Sequence, residues 1–178
     1  MISVVLSRPK GWAPLAGLIC WGTDFDASHA SLHAVGMGLL RGHALVLEAV
    51  GSGVALHHSR HWLEHYRVVH KHELQAEHWD AGRDAWSWTA DTYLDGKYDF
   101  IGLWAFAARV LMKKVGLKPR PVHESSNKLF CSELVARWLD RTLEILGRPA
   151  LEKRPDDTSP ADLIPLMEST GLFEAVVS

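Results

Sequence analysis

Alternation of apolar and polar positions marks the first seventy residues. "ISVVLS" (2–7) reads as a short strand. "SHASLHAVGMG" (28–38) alternates small or polar residues with apolar ones, meets a turn in "LLRGH" at Gly42, and continues as "ALVLEAV" (44–50). Period-two spacing on both sides of a glycine turn predicts a β-hairpin over 28–50. Gly51 and Gly53 mark a bend after it, and "YRVVH" (66–70) supplies another strand. The first half is expected to be mainly antiparallel sheet.

The spacing then lengthens. "ELQAEHWDAGRDAWSWTADTYL" (73–94) carries helical periodicity and stops at "DG" (95–96). "DFIGLWAFAARVLMKKVG" (99–116) reads as a second helix, with Asp99 at its start and basic residues and Gly116 at its end. "KPRPVHESSN" (118–127) reads as a loop. "FCSELVARWLDRTLEILG" (130–147) is a third helix, with Leu134, Val135, Trp138, Leu139 and Leu143 at helical spacing. "SPADLIPLMES" (159–169) is a short fourth helix, with Ser159 as N-cap and Pro160 at the first helical position. "LFEAVV" (172–177) returns as an edge strand. Neither a repeat nor an interdomain linker interrupts the pattern, so residues 1–178 are expected to form one α+β domain.

Composition narrows the class. With 178 residues, 47% hydrophobic and 22% charged, the chain suits one soluble domain with a sizeable core. A formal net charge of −2 gives no reason to expect nucleic acid or an anionic membrane as partner. The opening "MISVVLSRPKGWAPL" lacks the apolar run of a signal peptide, and prolines and charges break every candidate span, so a cytoplasmic protein without an integral membrane segment is expected. Cys20 and Cys131 form no disulfide framework. The eight tryptophans scatter along the chain and read mostly as core or groove wall.

Cys131, at the start of the third helix, is the first candidate for chemistry. A helix N-terminus and a nearby imidazole favour the thiolate, and the same backbone N–H groups can hold an oxyanion. Cys20, between Ile19 and Trp21, reads as core. Among eleven histidines, His29 and His33 lie four residues apart on one face of the proposed hairpin, which leaves either as base. Glu48 is the only acid inside the apolar "ALVLEAV". A carboxylate there is costly unless paired, so it either faces solvent or orients an imidazole.

Together "CWGTDFDASHASLH", "LVLEAVGSGV", "GKYDFIGL", "KLFCSELVARWL" and "TSPADL" resemble the circularly permuted branch of the NlpC-type papain-like hydrolases, to which YiiX-like proteins belong. In that branch the histidine strand precedes the cysteine helix, as His29, Glu48 and Cys131 do in this chain. The resemblance implies a papain-like antiparallel sheet packed against helices. It implies Cys131 as nucleophile, His29 as base and Glu48 as the residue that orients it. Ser28 and Tyr98 are implied at the substrate groove, with Asp99 beside it. The implied activity is a cofactor-free thiol hydrolase acting on a peptide, a peptidoglycan fragment or an acylated small substrate.

Two other classes compete. "HWLEH" (61–65) fits the H-x-x-E-H zinc-peptidase pattern, with His61 and His65 as ligands and Glu64 as general base. That motif needs a sustained helix, whereas "YRVVH" follows at once as a strand, and a solvated histidine-rich loop and strand is the plainer expectation for 57–78. No resident metal is therefore expected. A binding protein of the same fold without turnover is the other class; it has no need of a cysteine, a histidine and a glutamate together.

Overall fold

The computed structural model describes residues 1–11, 13–36, 43–98 and 128–176, with isolated positions at 108, 112 and 116. Six strands form one antiparallel sheet. In chain order they are β1 (Ile2–Pro9), β2 (His29–Val35), β3 (Ala44–Val50), β4 (Gly53–His58), β5 (Tyr66–Leu74) and β8 (Phe173–Val176). Across the sheet the order is β4-β3-β2-β1-β5-β8. Two residues each of β6 (Lys97–Tyr98) and β7 (Lys128–Leu129) make a separate parallel pair. Five helices accompany the strands among the described residues: α1 (Pro14–Thr23), α2 (Ser59–His65), α3 (Trp79–Tyr93), α4 (Cys131–Ile145) and α5 (Pro160–Thr170). The architecture is α+β.

The expected hairpin forms, with Leu32 opposite Leu47 and His33 opposite Val46. Its turn at Gly42 lies outside the described residues, as do Asp99, the loop at 118–127 and most of the helix expected over 99–116. The edge strand near the C-terminus forms as β8 against β5. Helix α5 carries a reciprocal cap, Asp162 N–H donating to Ser159 Oγ and Ser159 N–H to Asp162 Oδ2.

Two expectations need correction. The helix expected from residue 73 starts at Trp79, because Glu73 and Leu74 still belong to β5, opposite Glu174 and Phe173. Sheet pairing outweighs the helical spacing there. Residues 53–65, expected as a bend and a histidine-rich loop, are instead β4 and α2. The φ of +127° at Gly53 lets the chain reverse at once, and a Cβ there would run into the carbonyl of Gly96. Helix α1 was not anticipated either: its apolar "LAGLIC" lacks a polar periodicity to betray it.

The two faces of the sheet differ in composition. Ile2, Val4, Leu6, Ala30, Leu32, Ala34, Leu47 and Ala49 form one core with Leu134, Val135, Trp138 and Leu139 of α4 and Leu163 and Met167 of α5. Gly82 lets α3 approach closely, since a Cβ there would overlap Leu74, and its carbonyl accepts the Trp138 indole N–H at 3.1 Å. The register puts Ser3, Val5 and Ser7 of β1 beside His33, Ser31 and His29 of β2 on the other face. There Trp62 of α2 buries against Val5 and Val46. The polar strand positions thus gather under α2. Trp62, Trp86 and Trp138 are buried, while Trp21 and Trp79 are exposed.

Candidate active site

Cys131 is the first residue of α4, behind an extended Phe130. The short β7 aims the chain into the helix, and the apolar stripe from Leu134 to Leu143 clamps the helix on the sheet. Glu133, the third helical residue, accepts the backbone N–H of Phe130 and pairs with Arg137 at 2.8 Å. These contacts fix the first turn. Cys131 is 5% exposed, and its sulfur receives backbone N–H groups from Ser132 and, across from β2, Ala30.

His29 opens β2, 8% exposed, and its ring is hydrogen-bonded to the Cys131 thiol. Its Nε2 lies 2.6 Å from Glu48 Oε2, which leaves Nδ1 for the sulfur. Glu48, 3% exposed on β3, is held from further sides: Trp62 Nε1 donates to the same Oε2 at 2.8 Å, and His57 Nε2 lies 3.5 Å from Oε1. Tyr66 stacks on His29 at 4.8 Å and on Trp62 at 4.8 Å, so three rings form a layered wall beside the row.

Burial opposes charge on every member of this row, yet their mutual contacts prevail. Desolvation would depress His29, but the adjacent thiolate and then Glu48 raise its pKa to about 10. Desolvation would raise Cys131, but His29 and the two backbone N–H groups hold the thiol below its usual range. Glu48 is likewise held below the ordinary carboxylate range, its burial outweighed by bonds to His29 and Trp62. Tyr66 is pushed up by burial and by the charges of Glu48 and Cys131, so its phenol stays protonated. The favoured state is thiolate, imidazolium and carboxylate in one row.

His33 has another environment. Its Nε2 lies 3.0 Å from Ser31 Oγ, and its ring meets Trp62 edge-on at 4.6 Å. Burial, only partly offset by Glu48, pushes its pKa down to about 4. Of the two candidate bases, His29 alone touches both Cys131 and Glu48.

Ser28 is buried, its N–H donating to Ser7 carbonyl at 3.1 Å, and its hydroxyl has no partner among the described residues. Tyr98 pairs through its backbone with Leu129, two residues before Cys131, and its side chain lies outside the described residues. Cys20 is buried in α1. His61, Glu64 and His65 are exposed on α2 and take no part in the row.

Trp62, Tyr66 and His57 escaped the sequence reading. The lone acid in "ALVLEAV" demanded donors without naming them, and the indole that supplies one sits inside "HWLEH", where the histidines draw attention instead. No helix among the described residues is long and apolar enough to cross a membrane. Compared with known proteins, the chain matches no family model and no curated sequence.

Proposed function

We propose that the protein is a thiol hydrolase of papain-like, permuted NlpC type, cleaving an amide or ester bond through Cys131, His29 and Glu48. One observation carries the reading: a buried imidazole bonded on one side to a helix-start thiol and on the other to a buried carboxylate. A structural role alone does not call for this set, since burying three ionisable groups is costly.

In the proposed cycle, Cys131 thiolate attacks the substrate carbonyl, and the oxygen takes the electron pair. The backbone N–H of Cys131, at the first helical position, has no intrahelical acceptor and is placed to stabilise that oxyanion. His29 imidazolium gives its proton to the leaving amine or alkoxide as the tetrahedral species collapses to a thioester. The neutral imidazole then takes a proton from water, whose hydroxide attacks the thioester and expels the thiolate. Glu48 keeps the ring oriented and stabilises its charged form. Ser28 and Tyr98 are assigned to the substrate side, a peptide, peptidoglycan fragment or acylated small molecule is the substrate class, and a cytoplasmic setting completes the proposal.

Brief iodoacetamide labelling near neutral pH with peptide mapping tests the reading. Cys131 is expected to alkylate much faster than Cys20, and a thiol reagent should abolish turnover of activated ester and amide substrates. Equal or reversed labelling of the two cysteines overturns it.

A further inference from the structure

A second cluster of chemistry-bearing side chains lies on α2, outside the Cys131 row. His61, Glu64 and His65 each offer one ligand atom, and these atoms lie within 4.8 Å of one another. His61 Nδ1 and Glu64 Oε2 are 3.5 Å apart, and the two imidazoles meet at 5.0 Å between centroids. A tetrahedral zinc ion with bonds of about 2.1 Å separates its ligands by about 3.4 Å. One ligand pair already has that spacing. Side-chain rotation closes the rest, because His61 and Glu64 are 62% and 64% exposed. Two imidazoles with one carboxylate suit zinc and neighbouring transition metals, whereas calcium and magnesium prefer all-oxygen sets.

The place in the fold gives the cluster a consequence. Helix α2 has seven residues, too few to hold itself together in isolation. Yet it carries Trp62, the indole donor to Glu48, and runs directly into Tyr66, which stacks on His29. His61 and His65, one turn apart, also wall a hollow of about 440 Å³ that Glu48, His57, Trp62 and Tyr66 help to line. We infer that His61, Glu64 and His65 bind one zinc-type divalent ion, with water in the remaining position, and that the ion stiffens the turn of α2 that carries Trp62 to the carboxylate end of the row. In an H-x-x-E-H hydrolase the glutamate stays free as general base. Here Glu64 stands within ligand reach of both histidines, so it is assigned as a ligand rather than as a free base, and no step of thiol chemistry passes through the ion. The inference uses separate residues and stands whether or not the protein is a hydrolase.

The full chain carrying Cys131→Ser, which removes the competing thiolate, is titrated with Co²⁺ as spectroscopic probe and then with Zn²⁺ in competition. One Co²⁺ per chain is expected, without a sulfur charge-transfer band and displaced by Zn²⁺. Amide exchange should slow upon Zn²⁺ binding across residues 59–66. His61→Gln and His65→Gln replace exposed side chains and should each weaken binding more than about tenfold. Glu64→Gln should weaken it less, and His43→Gln, at the other surface histidine pair with His58, should leave it unchanged. Binding that is absent, that survives both histidine variants, or that disappears with His43→Gln overturns the site. Unchanged exchange at 59–66 on a loaded site overturns the stiffening.

Discussion

His29 and His33 stand on the same face of one strand, four residues apart, and the fold drives them in opposite directions. Both are buried, and burial alone depresses an imidazole. At the His33 end a hydroxyl and an indole edge leave that penalty standing, and the pKa falls to about 4. At the His29 end a thiolate and a carboxylate reverse it, and the pKa rises to about 10. Across the neutral range one ring is charged and the other is not. Partners within bonding distance, rather than burial, divide a charged imidazole from a neutral one on the same strand.

The largest expected effect comes from removing either ring in turn. On the proposed function, His29→Ala should lower turnover on the order of 10³–10⁴-fold or more, as loss of a triad member does in serine hydrolases. It should also slow alkylation of Cys131 near neutral pH, since the thiolate loses its counter-ion. His33→Ala should change turnover only a few-fold. Comparable losses in the two variants, measured on one activated ester, would erase the distinction between the two ends.

Glu48→Gln follows in size. The amide matches the carboxylate in shape, so thermal unfolding should show a folded protein, but it cannot stabilise the imidazolium. Turnover should fall by less than the ~10⁴-fold seen for a triad orienter in the serine case, because a thiolate–imidazolium pair needs less help. The double variant with His29→Ala should be little worse than His29→Ala alone. Unchanged turnover would leave Glu48 as a purely structural acid.

A titration sharpens the same contrast without any substrate. His29 is raised, so its imidazolium persists above the ordinary histidine range and is lost only as pH rises toward about 10. His33 is lowered, so it gains charge only as pH falls toward about 4. The thiol of Cys131 is lowered, so alkylation should remain fast below the ordinary thiol range and fail as pH falls through the depressed value. Because the thiolate is the leading favourable influence on His29, Cys131→Ser should bring that histidine's pKa down while His33 stays put. Ring proton shifts followed by NMR read both histidines at once, and a His29 value indifferent to Cys131→Ser would contradict the coupling.

Much of the frame around this contrast is legible in the sequence. The hairpin, the cysteine helix and the cap at Ser159 follow from period, glycine and capping chemistry, all local in sequence. The pairing of Glu48 with an imidazole was posed by an acid in an apolar strand, but alternation put His29 and His33 on one face and could not separate them. Their difference depends on where α4 begins relative to β2, a long-range packing outcome. Residues 53–65 were missed for a related reason: β4 and α2 hold their shapes through contacts to β3 and through Trp62 under the sheet, while their own sequence is dominated by histidines. The start of α3 was misplaced because Glu73 and Leu74 answer to β8, a hundred residues away.

Trp62→Phe carries the smallest expected effect and tests how far the row depends on α2. The substitution keeps a ring against Val5 and Val46 and removes the N–H that donates to Glu48 Oε2 at 2.8 Å. A hydrogen bond to a charged group contributes about 1.5–3 kcal/mol, and a buried carboxylate that loses one donor keeps its desolvation penalty. Glu48 retains His29 and the longer contact to His57, so the loss should fall at the lower end of that range. Its carboxyl should rise toward the ordinary value, since Trp62 is one of the influences holding it down. The acid limb of the Cys131 alkylation profile should then move to higher pH, because a carboxylate that protonates more readily supports the imidazolium less. His33 loses its edge-on indole contact in the same variant, yet nothing in the thiol's profile depends on it. A profile that stays in place while stability falls would mean that Trp62 supports the sheet face alone, and that Glu48 is oriented by His29 and His57 without it.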